Sequence, residues 1–428
     1  MPGPLNIFQR TMLHWNDLHP YNALHAFRVT TPFDRERLTR AVNETLAAVG
    51  LTNLTFDQRR ETLHYRGGPT TSEIKLVAPG NDAQAALRAE IEAQLNRPFE
   101  FSQTFNPFRF FVVPAGTSWF LGAVYFHAAA DGESLLHLLR RILAAYAGAP
   151  LPANYTRVEV HPPRQDRLLR QHGRVLLRTL ADLPAHIRKL RRSFRAPHQD
   201  PSNGQNAFDC FNLTPAELRG LLAAAKSVGV TVNDLVLALL MKSLSPLAAG
   251  RHTSRKRPLL SVGCIFNLRN DLAVDGAQVF GLVLGGFVVH DAAPDQMGLL
   301  ELARAVQHQT AAIKRRRLFY SVTLDLASVL RLLPFYSTER QKKLYLKNYP
   351  LWGGITNMNV NALWREASPP EDYYRTVSTG PVTPLVLGFT TARDAATITL
   401  SSRTTVFSPA MIQRFRQDLV ALIRSLTP

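Results

Sequence analysis

Apolar residues recur at helical spacing in FDRERLTRAVNETLAAVG (Phe33 to Gly50), where Asp34 is placed to cap the first turn and Gly50 to stop the last, so the pattern predicts an amphipathic helix. A second helix is predicted from about Asn81 to Leu95, stopped by Asn96-Arg97-Pro98. The pattern then changes period. FRFFVVP (Phe108 to Pro114) and SWFLGAVYFH (Ser118 to His127) are rich in β-forming residues and are joined by Ala115-Gly116-Thr117, which reads as a hairpin. The second run is apolar at nearly every position, as expected of a central strand covered on both faces. After Asp131-Gly132, ESLLHLLRRILAAYAG sets leucines on one face and arginines opposite, a helix ending near Gly148.

From Pro162 to Ser202 the composition turns to basic helical pieces, closed by the turn formers PHQDPSNGQN. A strand is predicted near Phe208 to Leu213, and Thr214-Pro215-Ala216-Glu217 has the form of a capping box with proline in the first turn. Thr231-Val232-Asn233-Asp234 opens the apolar helix LVLALLMKSL. The strand-like runs PLLSVGCIFNLR, VFGLVLGGFVVH (Val279 to His290), LVLGFTTA and ATITLSSR follow, and a last helix is predicted from Ser408 to Leu426. Helices alternating with mostly hairpin-linked strands predict an α/β fold of α+β layers with mixed sheets, and there is no short-period repeat. At 428 residues the chain exceeds what one core serves. The expected division is an N-terminal half, 1–163, a basic helical connector, 164–205, and a C-terminal half, 206–428.

Composition adds three constraints. Two cysteines, Cys210 and Cys264, are too few for a disulfide framework and sit in no metal-ligand spacing, which fits a reducing compartment. MPGPLNIFQRTML lacks the succession of a signal peptide, and the longest apolar stretch, Trp119 to Ala130, is too short to span a bilayer, so a cytoplasmic protein is expected. The formal charge of +18 would attract acidic partners, and ten basic residues against two aspartates between Arg164 and Arg195 supply about +8 of it. Such leucine- and arginine-bearing segments are commonly solvated helix faces; docking of an acidic carrier or peripheral contact with an anionic membrane are the functional alternatives. No helix-turn-helix, finger or RNA-recognition signature accompanies the charge, so no nucleic-acid partner is expected.

The chemistry concentrates at His127 to Gly132, H-A-A-A-D-G, on the turn between a buried strand and a helix. Histidine is the side chain whose ordinary pKa lies nearest neutrality, which suits a general base, with an aspartate four residues on to anchor the loop. The same residues also read as a core histidine followed by an Asp N-cap. In context, FHAAADG resembles the HHxxxDG or HxxxDG signature of condensation domains, wax-ester synthases, alcohol acetyltransferases and the plant acyltransferases named BAHD. Further segments resemble that superfamily in order: FDRERLTRAVNETLAA its first helix, NRPFEFSQTFNPFRFFVV the run before the motif strand, and TVNDLVLALLMKSL the helix opening the second half. FNLRN (Phe266 to Asn270) is similar to its strand ending in N-x-R, and ITNMN (Ile355 to Asn359) to a Ser/Thr-Asn segment. Phe126 replaces the first histidine, the DFGWG motif is absent apart from Phe280-Gly281, and no proline follows Asn357.

The resemblance implies two chloramphenicol-acetyltransferase-like halves in a V, with a central channel and His127 at its middle. It implies a thioester-dependent acyltransferase in which His127 deprotonates a hydroxyl acceptor and no acyl-enzyme forms; an amide-forming condensation enzyme and a non-catalytic carrier- or lipid-binding relative are the alternatives. Asp131 would be structural, paired with Arg269 from the other half or capping its helix; Gly132 would permit a backbone that a Cβ obstructs. Thr356, Asn357 and Asn267 are candidates to contact substrate or the developing oxyanion. The donor would be acyl-CoA or a phosphopantetheine thioester on an acidic carrier protein, the acceptor an alcohol or amine, and the protein a monomer. No permanently bound cofactor and no metal are expected, as GxSxG, P-loop and HExxH motifs are absent and His14, His19 and His25 are wrongly spaced for zinc.

Overall fold

Capping chemistry sets the helices that frame the first sheet. Asp34 accepts from the Arg37 N–H and opens Arg35–Val49, and Gly50 closes that helix in the left-handed region at φ 76°. Asp82 opens Ala83–Asn96, and Asp131 opens Gly132–Tyr146. The computed structural model describes residues 2–57, 59–101, 103–149, 157–161, 173–200, 202–348, 350–364 and 368–427. Packing divides the chain into two units, one of Met1–Arg164, Asn267–Leu284 and Asn359–Val377, the other of Gln165–Phe266, Gly285–Met358 and Ser378–Pro428.

In the first unit, the described residues form a sheet in the order β12 (Glu371–Val377), β2 (Asn22–Val29), β7 (Ser118–Phe126), β6 (Phe108–Ala115) and β5 (Ile74–Leu76). β6 and β7 are the antiparallel hairpin, whereas β5 runs parallel to β6, so the sheet is mixed. β7 is central, and every residue after Ser118 is buried. A smaller sheet pairs β1 (Gly3–Pro4), β4 (Thr62–Tyr65) and β3 (Leu54–Asp57).

The second unit is built on the order β10 (Leu284–Asp291), β9 (Leu260–Asn267), β11 (Gly353–Asn359), β13 (Leu385–Ala392), β14 (Ala395–Arg403) and β8 (Asn206–Leu213). β9 and β11 are parallel; β13, β14 and β8 are antiparallel. The helix Val232–Leu244 is apolar all round and buried from Asp234 to Met241, packing with Leu302, Phe389 and Phe415 in one core. No single helix among the described residues is long and apolar enough to cross a membrane.

Packing divides the chain differently from sequence order. β12 returns to the first sheet because it pairs with β2, Arg375 opposite His25, and 267–284 packs on the helix Gly132–Tyr146 through Arg269. Both segments lie in the C-terminal half by sequence. Of the basic connector, 164–172 lies outside the described residues, and its helix Gly173–Arg191 belongs to the second unit. The run Val279 to His290 forms a strand only from Leu284, since the backbone before it is engaged by Asp131 and Ser134.

Candidate active site

β7 ends at Phe126, and residues 127–131 turn the chain into the helix that starts at Gly132. Phe126 anchors the strand end: it is fully buried, stacks on Phe101 at 5.2 Å and meets Phe56, Phe99 and Phe105. The next side chain, His127, is 8% exposed. Its Nδ1 lies 3.0 Å from the Ala130 carbonyl, which can only accept, so Nδ1 carries the proton and Nε2 of the neutral ring keeps its lone pair. Among the described residues Nε2 has no hydrogen-bond partner. Burial lowers the His127 pKa; the Ala130 hydrogen bond and the Asp131 charge oppose the shift, and Arg375 adds to it.

Asp131 uses its two oxygens differently. Oδ1 accepts from the Ser134 N–H at 3.0 Å and caps the helix; Oδ2 accepts from Arg269 Nη1 at 2.7 Å and from the Val283 N–H at 2.9 Å. Both sequence alternatives for Asp131, cap and ion pair, therefore coexist. The pair is dry, with side chains 1% and 3% exposed. Burial alone would raise the Asp131 pKa, but Arg269 and the two N–H donors hold it below the usual carboxylate value. Ser134 Oγ accepts from Arg269 Nη2 and donates to the Gly281 carbonyl. Asn267 accepts from the Arg269 N–H at 2.8 Å and donates to Glu133. Arg269 and Asn267 belong to the same packed unit as Asp131 rather than to the other one. Gly132 is the first helical residue and is not left-handed.

The structure thus brings together His127, Asp131, Gly132, Asn267 and Arg269. Thr356 and Asn357 lie on β11 in the second unit, the former half-buried and the latter exposed. Five residues not singled out for this role in the sequence surround His127 or its neighbours. Tyr21 stacks on the His127 ring at 5.4 Å, and Tyr125 meets it edge-on at 5.7 Å. His25 is fully buried, with Nδ1 2.8 Å from the Tyr373 hydroxyl, and Arg375 lies across the strand pair from it. Burial, then Arg375 and His127, push the His25 pKa well down. Period-two alternation in β2 and β12 puts Tyr21, His25, Tyr373 and Arg375 on the face of the sheet from which Tyr125 and His127 rise, a signal present in the sequence once the strands are paired. Among the described residues no group of three or more His, Cys, Asp or Glu could hold a metal ion.

No family model and no curated protein matches the sequence. Solved structures do match in fold. The cyclization-docking bidomain of the EpoB non-ribosomal peptide synthetase from Sorangium cellulosum aligns at a TM-score of 0.71 and 15% identity, over 100% of this chain and 85% of that one. The first condensation domain of the calcium-dependent antibiotic synthetase, in complex with a substrate analogue, gives 0.71 at 14% identity, covering 100% and 98%. The condensation domain of the Monacolin K polyketide synthase MokA gives 0.68 at 12% identity, covering 100% and 97%. With its two units of helices and mixed sheets, this chain has the fold of those condensation and cyclization domains.

Proposed function

We propose that the protein is an acyltransferase that moves an acyl group from a CoA or carrier-protein thioester to a hydroxyl acceptor, with His127 as general base. The observation that carries this reading is the His127 tautomer: with Nδ1–H held by the Ala130 carbonyl, the unpartnered Nε2 is the basic nitrogen. Nε2 takes the proton as the acceptor oxygen attacks the thioester carbonyl, forming the new C–O bond. The tetrahedral intermediate then breaks its C–S bond, and the imidazolium returns the proton to the thiolate. Two aligned substrates suffice, without an acyl-enzyme. Asp131, Asn267 and Arg269 act by holding the turn that aims His127. The neighbours are domains of peptide and polyketide synthetases, which favours a carrier-bound donor and supports an amine acceptor as the second reading.

The test is thioester cleavage and product formation by purified protein supplied with acyl-pantetheine and acyl-CoA donors, against separate pools of alcohols and amines. His127→Ala should lower transfer by about 10²–10⁴-fold while leaving the fold intact. Because the His127 pKa is lowered, the activity of the native protein should hold its plateau below pH 6.5 and fall only at more acid pH, as the base becomes protonated. Near-normal turnover by the His127→Ala variant defeats the proposal; product with amines alone selects the condensation reading.

A further inference from the structure

The second unit holds a half-open cavity of about 390 Å³ between the helix Gly173–Arg191, the edge strand β10 and the helices Leu299–Arg316 and Phe319–Leu332. That is the size of a small-molecule site. Much of its lining is apolar, including Phe287, Ile313, Leu318 and Val322, and the buried His290 stands in the wall. Gln309 fixes the backbone there: its Oε1 accepts from the His290 N–H at 3.1 Å and its Nε2 donates to the His290 carbonyl at 3.0 Å.

A buried hydrogen-bond chain sets the His290 tautomer. Ser193 Oγ lies 3.0 Å from the Lys189 carbonyl, which can only accept, so the Ser193 proton is used there. The short Ser193–Ser261 contact then requires Ser261 to donate. With that proton used, Ser261 Oγ can only accept from His290 Nδ1, 2.6 Å away; Ser193, at 3.5 Å from the same nitrogen, is a poor competitor. One proton arrangement makes all three close contacts hydrogen bonds, and it leaves His290 Nε2 bare. Burial, with Lys189 and His186 nearby, pushes the His290 pKa down to about 3, so the ring is neutral. Among the described residues Nε2 has no hydrogen-bond partner.

We propose that this cavity is a ligand site, separate from the His127 centre, for a small and largely apolar molecule that offers one neutral hydrogen-bond donor, an alcohol or an amide N–H, to His290 Nε2. A carboxylate or an ether brings only lone pairs to that nitrogen. An ammonium ion would meet two positive charges, Lys189 and Arg316, against one carboxylate: Asp182 Oδ1 is paired with Arg316 at 2.7 Å, and its buried Oδ2 is left as a second bare acceptor in the wall.

The test uses the full chain labelled with ¹⁵N and ¹³C in histidine, and the matched probes octan-1-ol and methyl heptyl ether. The His290 signals, identified by their loss in His290→Gln or their shift in Ser261→Ala, should show a neutral ring protonated at Nδ1 throughout pH 5–8. Octan-1-ol should shift the Nε2 signal saturably, and the ether should bind about tenfold more weakly, as expected when a buried acceptor is left unpaired. Ser261→Ala removes the group that fixes the tautomer and should erase the preference for the alcohol. An Nε2-protonated ring in the native protein, equal binding of the two probes, or no saturable binding overturns the proposal.

Discussion

Asp131 is where a single atom's chemistry has the largest reach. Replacing it with Asn keeps the shape but sets an amide N–H₂ or a weaker carbonyl against Arg269 Nη1 and the Val283 N–H, both donors. The buried guanidinium then loses its close charge partner and keeps only Glu133, 3.7 Å from its Nε, and breaking such a buried pair costs about 3–5 kcal/mol. Asp131→Asn should therefore lower stability by that amount in urea unfolding, and Arg269→Gln should do nearly the same. The double variant should lose much less than the sum of the two. A loss below about 1 kcal/mol in either single variant would show that the pair is solvated in solution. The sign with pH follows from the lowered Asp131 pKa: this stabilisation is complete above the ordinary carboxylate value and disappears as acid protonates the group. His127 and Asp131 were legible in the sequence because they sit in one contiguous motif. Tyr373 was not, being 348 positions from its partner His25, and local spacing offers His25 no role beyond a zinc ligand.

At the scale of elements, β7 depends on a close approach to its hairpin partner. Gly122 pairs with Phe111, and a Cβ built on Gly122 would lie 2.0 Å from the tip of that ring. Phe111 is fully buried, so the ring has nowhere open to move. Gly122→Ala should cost about 1–3 kcal/mol by overpacking, read as a fall in Tm, and Phe111→Leu in the same chain should restore part of it. An unchanged Tm for Gly122→Ala would mean that the hairpin is looser than this packing implies. The hairpin and the capped helices were readable because their signals are local: alternation, turn residues, N-caps. The run Val279 to His290 was not, because its first residues spend their backbone groups on Ser134 and Asp131, 147 and 152 positions away, instead of on a strand. Helices such as Leu299–Arg316 and Phe319–Leu332 lack an opening Ser, Thr, Asp or Asn to announce them: Gly298 and Leu318 stand at their N-caps, and only the first gains a side-chain bond there, from the Gly298 N–H to Glu301.

For the whole molecule, sequence order and packing part company because β12 and the Arg269 segment are drawn back to the first unit, by strand pairing in one case and by a buried charge in the other. No local pattern announces such long-range closures. The net charge is the global property with a direct kinetic consequence. The helix Gly173–Arg191 carries Arg174, Arg178, Arg188, Lys189 and Arg191, all exposed, and Arg192 and Arg195 follow it. Exposed cations act at a distance and are screened within about 8–10 Å at physiological ionic strength. A phosphorylated CoA or an acidic carrier protein would feel that field, whereas an uncharged alcohol would not. Raising salt should therefore increase the apparent KM for the thioester donor while leaving that for the alcohol nearly constant, and the variant Arg174→Gln/Arg178→Gln/Arg188→Gln should flatten the donor's salt dependence without changing kcat. If donor and acceptor respond equally to salt, or if the triple variant retains the native slope, these arginines serve solvation of the helix and not approach of the donor.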